Sequence, residues 1–276
     1  MRIVADSSCE LTEKMKSEMD VTLVPLTLTL GDRHFRDDDT LDVDSMLKAF
    51  ASSKEVPKSA CPSPQDFINA YTAAGSVFVV TMTAALSGTY NSAILARDLF
   101  IQEQQEKFIH VFNSKGSSVR ETLIALKIDE MIKKKLSESE IVKEVNHYID
   151  NMSFFFQLGS LDTMIKNGRI SKMKGIIANA LNIRPILTAD ENGEVKLVEN
   201  VRSETKSIQY FIDLIGKNCM DQTERILGIS HCDALEKAEK LKVEIEARFN
   251  FKEVIVVPMR GLSSTYTNRG GITLGF

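Results

Sequence analysis

Residues 77–93 read VFVVTMTAALSGTYNSA. The stretch Val77 to Thr83 is apolar and rich in β-branched and aromatic residues, as a buried strand is. It gives way to Ser87-Gly88-Thr89, after which GTYNSAILARDLFIQE has helical spacing. A strand emptying into a helix is the repeating unit of an open α/β sheet, and ligands of such sheets sit at the carboxyl ends of the strands. A helix start there presents unpaired N–H groups and about half a positive charge, which favours anions. Gly88 removes a side chain from the approach, while Ser87 and Thr89 add hydroxyl donors. Two readings stand side by side: Ser87 caps the helix, or the three residues cradle a carboxylate or phosphate.

Outward from this stretch, strand and helix candidates alternate. Arg2 to Ala5 is a short strand before Asp6-Ser7-Ser8, and LTEKMKSEM follows as a helix. VTLVPLTLTL is strand-like, with Pro25 suited to an edge or a bulge, and GDRHFRDDDTL reads as a polar turn or loop. LDVDSMLKAFASS and SPQDFINAYTAA are helical, the second opened by Ser63 as N-cap and Pro64 in the first turn. FIHVFNS is a strand, and ETLIALKIDEMIKKKL and SESEIVKEVNHYIDNM are helices. Such alternation predicts a parallel sheet covered on both faces. After residue 153 the texture changes. FFFQL, IRPILTA, EVKLVENVR, RILGIS, KEVIVVPM and ITLGF are strand candidates, with Asn192-Gly193 a hairpin signal and helices at SETKSIQYFIDLIGKN and ALEKAEKLKVEIEARFN. The prediction is a two-domain α/β protein: residues 1–153 a parallel α/β domain, residues 154–276 an α+β domain with a mixed or antiparallel sheet, packed tightly because no Pro/Gly/Ser-rich linker separates them.

Composition narrows the function. The 276 residues carry 43% hydrophobic and 26% charged side chains and a formal charge of −4, so general electrostatics give no reason to expect nucleic acid. No apolar run approaches the ~20 residues that span a bilayer, and the start lacks a signal-peptide pattern; a cytoplasmic location is the expectation. Cys9, Cys61, Cys219 and Cys232 are scattered, with no metal-ligand spacing among them or with the four histidines, so free thiols and no metal are expected. The GxSxG elbow of hydrolases is missing, with Ala85 and Thr89 at its glycine positions. Phosphate-loop and dinucleotide signatures are missing too. A serine-dependent hydrolase acting on a lipid or acyl ester is the competing class, and a protein-interaction module without a small ligand is a third.

Two further stretches share the small, hydroxylated character of Ser87-Gly88-Thr89. PKSACPSPQDF (57–67) places Ser59 and Ser63 around Cys61-Pro62 before a helix, and RGLSSTYTNRGGITLGF closes the chain with hydroxyls, glycines, Arg260 and Arg269. Together with DSSCEL (6–11), VTLVPLTLTL, LSGTYNSA (86–93), LGSLDTMIKNGRISK (158–172) and NIRPILT (182–188), they resemble the DegV family of bacterial fatty-acid-binding proteins over the whole chain.

The resemblance implies a non-catalytic carrier of one long-chain, palmitate-like fatty acid buried in a tunnel between two domains. The acid would be presented to a separate fatty acid kinase ATP-binding protein that phosphorylates its carboxyl group, with transient contact at a membrane surface. Carried over by position, the carboxylate-binding hydroxyls are Ser59 and Ser87, with Gly88, Tyr266 and Thr267 beside them. Where the family has Thr-Ser-Gln-Pro-Ser this chain has Ser59-Ala60-Cys61-Pro62-Ser63. The family's His-Thr-Gly-Pro-Gly appears as Tyr266-Thr267-Asn268-Arg269-Gly270. Tyr266 can donate a hydrogen bond but carries no positive charge near neutral pH, so either Arg269 supplies the cation near the head group or Tyr266 suffices through its hydroxyl. Arg169, Arg202 and Arg269 are the expected kinase or phosphate contacts. The eleven Met and fourteen Phe, with no Trp, suit an adaptable apolar tunnel.

Overall fold

The structure is a computed structural model that describes residues 1–72, 75–103, 107–170, 183–219 and 222–276. Strand β1 (Arg2–Asp6) leads through α1 (Glu13–Glu18) to β2 (Val21–Val24). A small antiparallel sheet follows, made of β3 (Thr27–Leu30), β4 (Arg33–Arg36) and, after α2 (Val43–Ser52), β5 (Lys58–Ala60). Helix α3 (Pro64–Tyr71) precedes β6 (Val77–Thr81), α4 (Thr89–Glu103), β7 (Ile109–Asn113), α5 (Val119–Lys133) and α6 (Glu138–Asp150). Strands β2-β1-β6-β7 form an all-parallel sheet in that order. Every residue of β6 is buried, as a strand covered on both faces requires.

The second part opens with β8 (Phe154–Gln157), α7 (Asp162–Lys166), β9 (Arg184–Ala189) and β10 (Val195–Val201). It continues through α8 (Glu204–Asn218), β11 (Ile226–His231), α9 (Leu235–Glu246), β12 (Glu253–Pro258), α10 (Gly261–Thr267) and β13 (Ile272–Gly275). Its six strands form one mixed sheet ordered β10-β9-β8-β13-β11-β12, in which only β11 and β12 pair in parallel. Asn192-Gly193 turns the β9–β10 hairpin as its sequence indicates: Gly193 takes φ +81°, and the Asp190 carboxylate accepts the N–H groups of Asn192 and Glu194 at 2.9 Å each.

Helix α5 is buried around most of its girth, with Arg120, Glu121 and Thr122 as well as its apolar residues covered. One side joins the core of Ile3, Phe78, Val80 and Phe112, and the other presses on β11 and β13. The approach to the second sheet depends on missing side chains. A Cβ on Gly228 would lie 2.4 Å from Val119, and one on Gly275 would lie 3.0 Å from Leu123. A single helix therefore carries both sheets on its flanks.

Three stretches differ from their sequence reading. VTLVPLTLTL is two strands in two sheets: Pro25, which has no N–H to donate, stands where the chain leaves the parallel ladder. GDRHFRDDDTL contains β4, paired to β3 through the two-residue Gly31-Asp32 turn with φ +57° at Gly31. β4 is nearly all solvent-facing, so it shows no hydrophobic alternation to betray it. The C-terminal RGLSSTYTNRGG contains α10, most of it buried. Its poor helix formers are held by a tertiary cap: Asp37, 1% exposed, accepts the N–H of Gly261 at 2.8 Å and of Leu262 at 2.9 Å. The Ser63 N-cap behaves as expected and forms a capping box with Asp66. All four cysteines are free thiols. Ser171, Lys172 and Asn182 of the family motifs, and Ala73 and Ala74 of the α3 stretch, lie outside the described residues.

Candidate functional site

The carboxyl ends of three parallel strands converge on one cavity. From β1 comes Ser8, from the turn after β6 come Met82, Thr83, Leu86 and Ser87, and from the turn after β7 come Gly116, Ser117 and Ser118. The six-stranded sheet supplies the facing wall with Phe154, Phe156 and Thr273, and α10 supplies Leu262, Ser263, Tyr266 and Thr267. The β9–β10 hairpin closes one side with Ala189, Gly193 and Val195, its tip tied by the Thr83 hydroxyl donating to the Gly193 carbonyl at 3.2 Å. Together these surround about 780 Å³ of empty space, part of it open to solvent. A concave, mostly apolar lining with a few convergent polar groups is that of small-molecule sites.

At the mouth, three small segments far apart in sequence meet. Ser59 Oγ and Tyr266 OH lie 2.8 Å apart, and both residues are half-buried. Ser87 lines the same cavity. Its Oγ lies 2.8 Å from Thr89 Oγ1 and accepts the Thr89 N–H at 3.3 Å. Gly88, whose carbonyl accepts the Ser92 N–H at 2.9 Å, is the N-cap of α4, and Ser87 stands one residue before it, lining the cavity while its hydroxyl makes a local turn to Thr89. Thr267 lines the cavity while its carbonyl accepts the Gly159 N–H at 2.7 Å. Gly88 is exposed beside the cavity, and an added Cβ would make ordinary contact with Cys61 Sγ at 3.4 Å, where the 61–62 segment packs on α4. That packing is fixed by the Ser92 hydroxyl donating to the Pro62 carbonyl at 2.6 Å.

The three arginines separate. Arg169 lines the cavity, half-buried, and donates to the Asn167 carbonyl at 2.5 Å. Arg202 is exposed beyond β10 and does not reach it. Arg269 also points away, pairing with Asp44 at 2.5 Å and with Asp233. The expected head-group cation at Arg269 is therefore corrected. Asn268, with φ +62°, turns the chain outward, and two carboxylates from α2 and the β11–α9 turn hold the guanidinium at the surface. Arg169 is the arginine that faces the cavity.

Sequence reading passed over Ser8, Thr83, Ser117, Ser118 and Ser263, all of which line the cavity. The signal for two of them was present: Ser114-Lys115-Gly116-Ser117-Ser118 follows β7 as Ser87-Gly88-Thr89 follows β6. Ser118 holds φ +61° with its hydroxyl 2.5 Å from Ser230 and 3.3 Å from Thr273. Arg120 braces this turn from below, donating to the Ser114 carbonyl at 2.6 Å and the Ile149 carbonyl at 2.8 Å. Burial lowers its guanidinium to about 10.

Behind Ser8, Ser118 and Ser263 stand four buried carboxyl groups: Asp6, Glu10, Asp37 and Glu121. Asp6 accepts the Met82 N–H at 2.8 Å and the Ser8 N–H at 2.9 Å, locking the β6 turn to β1. Ser8 Oγ meets Asp6 at 2.7 Å and also Glu121. Ser8 has one hydroxyl proton for two carboxyls, so Glu121 supplies the other, consistent with burial driving its affinity for protons well above the usual range. Burial likewise raises Asp6 and Asp37, and pushes Glu10 up to about 8. Ser263 and Ser118 lie near enough to oppose that rise, yet neither completes a hydrogen bond with Glu10, whose two oxygens have no partner. No group of His, Cys, Asp or Glu among the described residues is arranged to hold a metal ion.

A mixed α/β protein with an apolar interior cavity, hydroxyls at its mouth and strand ends at its base is the class that fold and site define. Within it, the chain belongs to the DegV family: the family model described as "Uncharacterised protein, DegV family" matches residues 1–276. A DegV domain-containing protein of Streptococcus pneumoniae is 32% identical over 277 residues, covering 100% of this chain and 98% of the relative. Among solved structures, a DegV family protein of Ruminococcus gnavus with vaccenic acid is 36% identical with TM-score 0.96, covering 100% of this chain and 99% of that one. A DegV family protein of Eubacterium eligens loaded with heptadecanoic acid is 31% identical with TM-score 0.92, covering 100% and 98%. The fatty acid kinase (Fak) B3 protein of Streptococcus pneumoniae loaded with linoleic acid is 31% identical with TM-score 0.91, covering 100% and 98%. No helix among the described residues is long and apolar enough to cross a membrane.

Proposed function

We propose that this protein carries one long-chain fatty acid in the cavity and does no chemistry on it. The carboxylate is held at the mouth by Ser59, Ser87 and Tyr266, with Arg169 as the cation in reach. The alkyl chain runs inward past Leu86, Phe154, Phe156 and Met164. Residues 1–153 and 154–276 act as two domains with the ligand between them, since the parallel strand ends of the first and the mixed sheet of the second line the same space. The observation that carries this reading is the hydroxyl pair Ser59–Tyr266, joined across 207 residues of chain at the opening of an apolar cavity. The fatty acids in the solved relatives support the ligand class.

The energetics agree. About fourteen methylenes at ~0.8 kcal/mol each give ~11 kcal/mol gross, from which association and ordering take several. An unpaired carboxylate would erase much of the rest, so the tail supplies affinity and the mouth supplies orientation. Delivery to a fatty acid kinase ATP-binding protein completes the proposal, with the exposed Arg202 and Arg269 on the surface it would meet. The fatty acid kinase B3 protein among the relatives supports this step. Mass spectrometry of a solvent extract of freshly purified protein tests the ligand: a stoichiometric long-chain fatty acid is expected, and an extract without acyl chains, from protein that also binds none on addition, rejects it.

A further inference from the structure

One buried hydroxyl faces the cavity with only a carboxyl group close to it. Ser263 is 7% exposed and lines the cavity, yet its hydroxyl has no hydrogen-bond partner. Directly behind it, both oxygens of Glu10, 0% exposed, are also without partners. Ser263 lies close enough to Glu10 to hold down part of the rise in its proton affinity, yet neither completes a hydrogen bond with the other, so a polar group entering from the cavity has a hydroxyl to meet. The neighbouring hydroxyls are already engaged: Ser8 with Asp6 and Glu121, Ser118 with Ser230 and Thr273.

The surroundings decide the chemistry of that group. Asp6, Asp37 and Glu121 stand with Glu10 on this side, and Arg260 is committed to Asp39 at 2.8 Å and to the Asp37 carbonyl at 3.3 Å. A charged head group here would be buried among four carboxyl groups, whereas a neutral oxygen needs no counter-charge. A neutral oxygen fits: it accepts the Ser263 hydroxyl proton and, if it is itself a hydroxyl, donates onward. Glu10 holds its proton to about pH 8, so it stands ready as a donor.

The position along the ligand follows from the helix. Ser263 and Tyr266 are three residues apart on α10, so they share a face with side chains about 5–6 Å apart. A carboxylate seated at Tyr266 and Ser59 puts only the first few carbons of the chain beside Ser263. Resting on the fatty-acid reading above, we propose that Ser263, backed by Glu10, forms a polar subsite for a hydroxyl or keto oxygen on the acyl chain close to its carboxyl end, as in a 3-hydroxy fatty acid. This makes oxygenated acyl chains a substrate class of the carrier alongside plain ones.

The test is displacement of a fluorescent fatty acid from the full-length protein by palmitate, 3-hydroxypalmitate and 16-hydroxypalmitate, with wild type, Ser263→Ala and Ser263→Thr. In wild type the 3-hydroxy acid is expected to compete within threefold of palmitate or better. The 16-hydroxy acid, whose hydroxyl falls among apolar side chains, is expected to be at least tenfold weaker. Ser263→Ala lowers the 3-hydroxypalmitate-to-palmitate affinity ratio at least fivefold, and Ser263→Thr, which keeps the hydroxyl, restores it. A ratio unmoved by Ser263→Ala, or equally low in Ser263→Thr, overturns the subsite. Failure of palmitate itself to displace the probe from wild type overturns the fatty-acid reading instead, which separates the two.

Discussion

The cavity has two hydroxyl-rich regions built from the same residue types. At the mouth, Ser59, Ser87 and Tyr266 are half-buried, touch other hydroxyls and have no carboxyl group among their hydrogen-bond partners. At the base, Ser8, Ser118 and Ser263 are buried in front of Asp6, Glu10, Asp37 and Glu121. Hydroxyls paired with hydroxyls keep donor capacity for an anion, since each can rotate its proton outward. At the base, Ser8 is engaged by Asp6 and Glu121 and Ser118 by Ser230 and Thr273, so these two have less to offer an anion. The difference gives the cavity a polarity that the serine content alone does not reveal, and under the proposed function it sets the carboxylate at the mouth.

Replacing both Ser59 and Ser87 by Ala tests the mouth most severely. With two hydrogen bonds to a carboxylate removed, at about 1.5–3 kcal/mol each, long-chain fatty acid affinity is expected to fall about 100-fold or more. A loss below tenfold in a titration with palmitate would place the head group elsewhere. At the base the larger effect is on stability. Glu10 keeps its proton to about 8 in the folded chain, against 4.5 for an ordinary glutamate. The folded state therefore binds more protons across that window, and stability falls as pH rises from about 4.5 to about 8. Glu121 and Asp6 act in the same direction. Melting temperatures from pH 5 to 8 should decline in the wild type, and Glu10→Gln, neutral throughout, should flatten the decline. An unchanged slope would mean that Glu10 is ionised in the fold.

Tyr266→Phe separates the phenol's hydrogen bond from its ring. Loss of one partner of Ser59 should weaken palmitate binding about fivefold, near 1 kcal/mol, with the ring contacts retained. The smallest effect is expected at Arg269→Ala. Because the guanidinium sits on Asp44 and Asp233 outside the cavity, palmitate affinity should move less than about twofold, roughly 0.4 kcal/mol. A larger loss would return Arg269 to the head group.

Local chemistry made much of this readable in advance. The buried run Val77–Thr81, the Ser63 capping box and the Asn192-Gly193 turn are decided by residues within a few positions of each other, and each is where its pattern puts it. Ser59, Ser87 and Tyr266 come from small hydroxylated segments that stand out and resemble a known family, and all three line one cavity. What escaped depends on distant partners. α10 is a helix because Asp37, 224 residues before Gly261, caps it, and no property of GLSSTYT announces that. Asp37 itself looked like one of three solvated aspartates. Ser8 and Ser263 gain their roles from acids that approach only after β1, α5 and α10 are assembled. Arg269 misled for the converse reason: its place in a motif was clear, but Asp44 and Asp233, which claim it, are remote in sequence.

The flanking of α5 by both sheets bears on how the cavity can open. A clamshell in which one half swings from the other would drag Val119 and Leu123 out of the notches at Gly228 and Gly275, wetting apolar surface on both jaws at once. At the rim, the β9–β10 turn is held by the Thr83 hydroxyl and by the close seat of Gly193 on Thr83 and Lys115. Under the proposed function, a ligand passes only where one of these two seams parts.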